Sequence, residues 1–345
     1  MRIPSLAKLL MVMITGLSLW AMPAEVAQAT PRSSGGLIVW THRAAPGSEH
    51  LMIARADGSH PRALTEPAPD QVDLDAQVSP NGEWVAYMRE AGDTDKLRLV
   101  RTDGSADHEV TVNCPVDWCA FDSPTWLSDR RLAFQFVKGP IGADDNAASA
   151  VLWTIRTDGT GLRRLSPSGI DGTYEDIFLR VARDGDYQTF LRRRNADGRS
   201  ALFRSDRWGG QAQQLTPWDL SADVNDLSTA RHGPSKDLLV FESYGRGDPD
   251  KTFVDIATVP ATCRSLAACT RQIHWLTDNR ATGRRNANPQ WSPDGKALVF
   301  TDRASVDVED AQIWTQPYPR GPRHLVSVSS PNFDYRPTWG VSPRR

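Results

Sequence analysis

Histidine and cysteine are scarce in this chain, at 7 and 4 of 345 residues, and neither sign of charge is in excess, the formal net charge being −2. A balance this even gives no electrostatic reason to expect nucleic acid or an anionic membrane surface as a partner. Past the N-terminal leader there is no Gly-x-Ser-x-Gly elbow, no His-Glu-x-x-His, no phosphate-binding glycine loop and no EF-hand loop. The histidines, His42, His50, His60, His108, His232, His274 and His324, are scattered rather than gathered. Only His232 falls near an inner strand, where it could face a central channel. No segment of helical period separates the short apolar runs, which excludes an α/β arrangement.

The first 29 residues read as a secretory signal peptide. Arg2 and Lys8 supply a positive end, Leu9 to Met22 is mostly apolar, and Ala27-Gln28-Ala29 is a small-x-small cleavage site. Thr15, Gly16 and Ser18 interrupt the apolar run, which is short for a membrane span. Export follows, to the periplasm or beyond, with residues 30–36 as a short polar tail. In an oxidising compartment Cys114 with Cys119 and Cys263 with Cys269 suggest two local disulfides, although four cysteines allow three connectivities; a zinc site is the rival reading.

What the chain has in abundance is one repeated pattern. Its clearest copy is Pro289-Gln290-Trp291-Ser292-Pro293-Asp294-Gly295-Lys296-Ala297-Leu298-Val299-Phe300, an apolar run, a tight turn and a second apolar run, which is the chemistry of a β-hairpin. Weaker copies begin at Ala76, Pro124, Leu179, about Ala230 and Pro337, spaced from 48 to about 59 residues apart, the period of four-stranded propeller blades. The array opens on a second strand at Leu37 and ends on an inner strand, Pro337 to Val341, so the two fragments complete one blade. The expectation is an all-β, six-bladed propeller over residues 37–341, closed by pairing the C-terminal strand with the N-terminal three, with 342–345 as a tail.

Pro-x-Trp-Ser-Pro-Asp-Gly followed by Val-Phe, then Ile313-Trp314, with Asp57-Gly58-Ser59 and Leu64-Thr65 in the first unit, resembles the repeat of the TolB-type (PD40, WD40-like) propellers across nearly the whole mature chain. The N-terminal α/β domain of TolB has no counterpart here, so its docking roles do not carry over. The resemblance implies a non-catalytic scaffold of the cell envelope that binds another envelope protein or a peptide, TolB-type propellers binding a peptidoglycan-associated lipoprotein. Related blades also occur beside peptidase domains and in oligogalacturonate lyases, so a lyase or hydrolase with a metal-assisted site at the channel mouth is the alternative.

One constellation stands at or just before each inner strand: Asp73, Asp122, Asp176, Asp226, Asn286 and Asp334. Inner strands line the channel of a propeller and start on one face, so these six would ring one mouth. Such a ring would favour the basic groups of a ligand or partner, or a divalent cation such as calcium at Asp176 and Asp226. The competing reading is that each aspartate hydrogen-bonds backbone amides at the entry to its own strand. Acid-bearing loops at Glu90 to Asp95, Asp144-Asp145, Asp248 to Asp250 and Asp307 to Asp310 would share that face, with arginine-bearing turns opposite. The chain is expected to act as a monomer, with no catalytic residue and no cofactor beyond such a cation.

Overall fold

The computed structural model describes residues 35–92, 94–113, 119–138, 149–166, 172–207, 209–247, 252–307, 309–327 and 333–343. The signal peptide, the Cys114–Cys119 pairing and the loops at 144–145 and 248–250 lie outside them.

Nearly every element is a strand. In chain order they are β1 (Leu37–Arg43), β2 (His50–Arg55), β3 (Arg62–Ala63), β4 (Gln71–Val78), β5 (Trp84–Ala91), β6 (Thr94–Arg101), β7 (His108–Glu109) and β8 (Cys119–Ser128). Then come β9 (Arg131–Lys138), β10 (Ser149–Arg156), β11 (Arg163–Arg164), β12 (Tyr174–Val181), β13 (Tyr187–Arg194), β14 (Ser200–Asp206), β15 (Gln213–Gln214) and β16 (Ala222–Leu227). The series ends with β17 (Leu238–Tyr244), β18 (Val254–Pro260), β19 (His274–Trp275), β20 (Arg285–Trp291), β21 (Ala297–Arg303), β22 (Ala311–Pro317), β23 (His324–Leu325) and β24 (Phe333–Gly340).

These strands pair in antiparallel fours. β4 to β7, β8 to β11 and β12 to β15 are separate four-stranded sheets. β16 to β19, β20 to β23, and β24 with β1 to β3 form a larger sheet, in which the fours are joined only at the parallel pairs Val254 with Arg285 and Ala311 with Phe333. β24 lies antiparallel to β1, Leu37 opposite Gly340.

Apolar residues alternate to both faces of the middle strands, so each four must be covered on both sides. Each apolar core sits between two consecutive fours. Val39, Leu51 and Val85 join the first to the second; Leu99, Phe121 and Leu132 the second to the third; Ala133, Leu179 and Phe190 the third to the fourth. Leu191, Leu239 and Val259 continue the series, as do Val240, Ile256 and Phe300. The sixth core, with Trp40, Val299 and Trp339, brings β20 to β23 against β24, β1 and β2.

The repeated motif has a local cause. Ser292 accepts the backbone N–H groups of Lys296 and Ala297 at 3.1 and 2.9 Å and donates to Asp294 at 2.8 Å, closing the turn on itself. Ser79 repeats the arrangement with Asn81 and the N–H of Trp84. Gly295, at φ 68°, could not carry a side chain: a Cβ there would run into Ser235 and Ala230 of the preceding four. The hydroxyl that follows the outer strand also has a fixed job. Thr65, Ser166, Thr216, Thr277 and Ser327 each accept the N–H of a third-strand residue, Leu51, Leu152, Leu202, Ile256 and Ile313.

Two expectations change, and His232 takes the solvated place that was the alternative to facing the channel. The fourth copy of the pattern is in register at Val224 and not near Ala230, because β16 is short and a ten-residue connection, 228–237, replaces the tight turn. His232 lies in that connection and is exposed. A helix, α1 (Leu266–Arg271), begins where Ser265 accepts the N–H of Ala268, and the Cys263–Cys269 disulfide ties it down.

Candidate functional site

The inner strands β4, β8, β12, β16, β20 and β24 are not regular. Each breaks register against its neighbour midway, as between Leu74 and Gln77 or Ala287 and Gln290. Within five of these breaks a non-glycine residue takes up the left-handed conformation: Asp75, Ser123, Phe178, Asn288 and Arg336, at φ between 48° and 54°. Such backbone costs of order 1 kcal/mol or more per residue and bulges the strand, re-aiming its side chain. The re-aimed residues converge. Asp75, Ser123, Phe178, Asn288 and Arg336, with Val224 one residue farther along its own inner strand, line a single cavity of about 40 Å³.

Most of the residues singled out by the sequence sit elsewhere, Asp122 excepted. Asp73, Asp176, Asn286 and Asp334 share a position two residues before that level, and each faces a partner on the adjacent second strand. Asp73 binds Arg89 through two bonds of 2.6 and 2.8 Å, and Asp176 binds Arg192 at 2.7 and 2.9 Å. Asn286 donates to Asp302 at 2.5 Å, and His42 meets Asp334 at 2.6 Å. All four are buried. The guanidinium of Arg192 is also packed over Tyr174, Phe190 and Phe203. Asp122 falls one residue later in register and Asp226 later still, beyond the break. Asp176 and Asp226 do not form a common site: Asp226 accepts from Arg180 Nε at 3.2 Å and from the N–H of Trp291 at 2.8 Å. Among the described residues no three of His, Cys, Asp and Glu are grouped to hold a metal ion.

A different set of acids meets at the break. Arg336 Nη1 donates to Asp75 at 2.6 Å. Burial, then the charge and hydrogen bond of neighbouring Asp75, push Asp122 well above the usual carboxylate range, against the pull of Arg336 and of the Ser123 N–H at 2.6 Å. Across the cavity, Glu242 is buried and accepts the N–H of Asn288. Burial, and the charge of Asp223 after it, push its carboxyl up to about 8. Glu90 is raised by burial and Asp75, and Asp95 reaches about 6 through burial and Glu90. Carboxyls so placed hold protons in preference to charge until a cation compensates them. Asp75 occupies the position just before its copy of the repeated pattern begins at Ala76, and that position carries no acidic consensus, being Ser123, Phe178, Asn288 and Arg336 in other copies.

Farther along the inner strands the channel widens into a funnel of about 850 Å³. Trp126, Trp291 and Trp339 contribute to its walls, with Arg183 and Arg231 among its charged groups, and Arg180 lines both cavities.

No family model matches the chain, and no curated protein matches its sequence. Solved structures do. TolB of Acinetobacter baumannii superposes with a TM-score of 0.60 at 17% identity, over 89% of this chain and 67% of that one. A putative TolB from Agrobacterium tumefaciens gives 0.55 at 14%, over 88% and 98%. Hydrazine synthase of Kuenenia stuttgartiensis gives 0.64 at 12%, over 91% of this chain and 48% of that one, so the chain spans about half of that protein. At such identities the likeness is one of fold, a TolB-like β-propeller. No helix among the described residues is long and apolar enough to cross a membrane.

Proposed function

We propose that the chain is an exported, non-catalytic binding scaffold, a six-bladed propeller closed by β24 against β1 to β3, whose acidic channel mouth receives the basic groups of an envelope protein or peptide. The ring of six blades is supported by the six cores, each shared by consecutive fours. The TolB neighbours support a protein-binding role for such a scaffold. Export rests on the leader sequence and is in keeping with the Cys263–Cys269 disulfide.

The observation that carries the site is the meeting of Asp75 and Asp122 at the strand breaks, with Glu242 buried across the cavity against the N–H of Asn288; burial and neighbouring carboxylates raise both Asp122 and Glu242. A lysine or arginine entering this mouth would replace bound protons and relieve that repulsion. Of the six residues read from the sequence, Asp122 belongs to this surface, Asp73, Asp176, Asn286 and Asp334 lie at the buried seam between first and second strands, and Asp226 lies beyond the break, paired with Arg180. Binding of a lysine-rich peptide to the mature chain, compared with Asp75→Asn and Asp122→Asn, tests the proposal. Loss of affinity in the variants supports it, and unchanged affinity removes it.

A further inference from the structure

The funnel has no part in that reading, and its floor is built from different chemistry. Two residues beyond the level of Asp75 every inner strand carries a polar side chain: Gln77, Thr125, Arg180, Asn225, Gln290 and Thr338. All but Asn225 line the funnel. Together they form a hydrogen-bonding collar at the waist of the channel.

The charge in this collar is matched. Arg180 is paired with Asp226 at 3.2 Å and donates Nη1 to the carbonyl of Leu179 at 2.9 Å. The hydrogen-bonding capacity is not. Gln290 is 7% exposed, faces both cavities, and its amide has no hydrogen-bond partner among the described residues. Asn225, fully buried at the same level, leaves its Oδ1 unpartnered. The Gln290 amide opens on both cavities and is left to hydrogen-bond whatever fills them, whereas Asn225 lines neither cavity.

We infer that the funnel is a binding site for a neutral saccharide, with the collar as its floor. Sugar hydroxyls both donate and accept, which is what primary amides and threonine hydroxyls offer in return. At the collar itself a charged ligand would gain little, because Arg180 and Asp226 already satisfy each other there and the remaining funnel arginines, Arg183 and Arg231, are exposed. Apolar surface from Trp126, Leu127, Val181 and Trp291 beside the collar suits the C–H faces of a pyranose. A cavity of about 850 Å³ is the size of an ordinary small-molecule site and has room for a disaccharide. This site adjoins the cavity at the strand breaks, with which it shares Gln77, Arg180 and Gln290, but it uses none of the acids there and requires no protein partner.

The test is calorimetric titration of the mature chain with three neutral disaccharides, cellobiose, maltose and chitobiose, at up to about 10 mM, with glucuronate alongside. Saturable binding of at least one disaccharide is expected, weakened about tenfold by Gln290→Leu at an unchanged unfolding midpoint. Should Gln290→Leu fail to fold, Thr338→Val, which removes one hydroxyl from the collar and little volume, is expected to weaken the same sugar severalfold. Binding of glucuronate alone, binding of no disaccharide, or undiminished affinity in the folded variant would each overturn the inference, leaving Gln290 to ordered water.

Discussion

Asp75 and Arg336 stand 261 residues apart in the sequence and 2.6 Å apart in the fold, joined across the first and last inner strands by one charge-assisted hydrogen bond. Both occupy the left-handed position of their strand break. The pair therefore links the two ends of the repeat array at the level where the acids of the channel converge, and Arg336 is a cation that the crowded carboxyls share.

Removing Arg336 should leave Asp75 and Asp122 facing each other uncompensated. Because the arginine side chain is 41% exposed, the loss is expected to be modest, about 1 kcal/mol in Arg336→Met. Chemical denaturation measures it. Asp122 should in addition titrate still higher in the variant, since the arginine charge lowers it in the native protein.

The seam pairs should matter more. Arg89 is buried against Asp73 through two hydrogen bonds. Arg89→Ala would strand that carboxylate, at a cost of about 3 to 5 kcal/mol, whereas Asp73→Asn with Arg89→Gln removes both charges and should restore part of the loss. The comparison is read from denaturant midpoints of the two variants.

Glu242 sets a pH dependence with a definite sign. Its folded carboxyl is pushed up to about 8, above the ordinary glutamate value of about 4.3, so between those limits the native state holds a proton that the unfolded chain releases. The stability contribution is fully present below the unfolded value and is lost as pH rises through about 8, with a slope of at most about 1.4 kcal/mol per pH unit. Glu242→Gln should flatten the fall of the melting temperature between those limits. An unchanged pH profile would show that another group controls it.

Reduction of Cys263–Cys269, which closes a loop across six positions of sequence separation, should lower stability by about 2 kcal/mol if the loop acts through unfolded-state entropy. Cys263→Ser with Cys269→Ser, followed by thermal melting, gives that figure without reductant.

Much of this architecture was legible in the residues. Ser79-Pro80-Asn81-Gly82 and Ser292-Pro293-Asp294-Gly295 specify their turns through bonds within the turn itself, so they read correctly without knowledge of any neighbour. The middle strands were equally plain because they are buried on both faces. β16 was misplaced in register because its unit has no Pro-Asp-Gly turn, and the chain makes the connection through 228–237 instead. Asp75, two residues beyond Asp73, was passed over for a related reason. Alternation along a strand predicts which way Asp73 points, but a bulge at Asp75 changes the face presented by everything after it, and bulges depend on pairing between strands. The partners Arg89, Arg192 and His42 were hidden likewise, since register across the hairpin is needed to oppose them to Asp73, Asp176 and Asp334.

The most direct test of the acidic mouth is the number of protons released when a lysine-rich peptide binds, obtained by titration calorimetry at pH 7 in two buffers of different ionisation enthalpy. If the peptide's cations displace protons from Asp122 and Glu242, roughly one proton or more leaves per complex, and the release falls in Asp122→Asn and Glu242→Gln. Binding with no proton release, unaltered in both variants, would contradict the account and place the contact elsewhere on the protein.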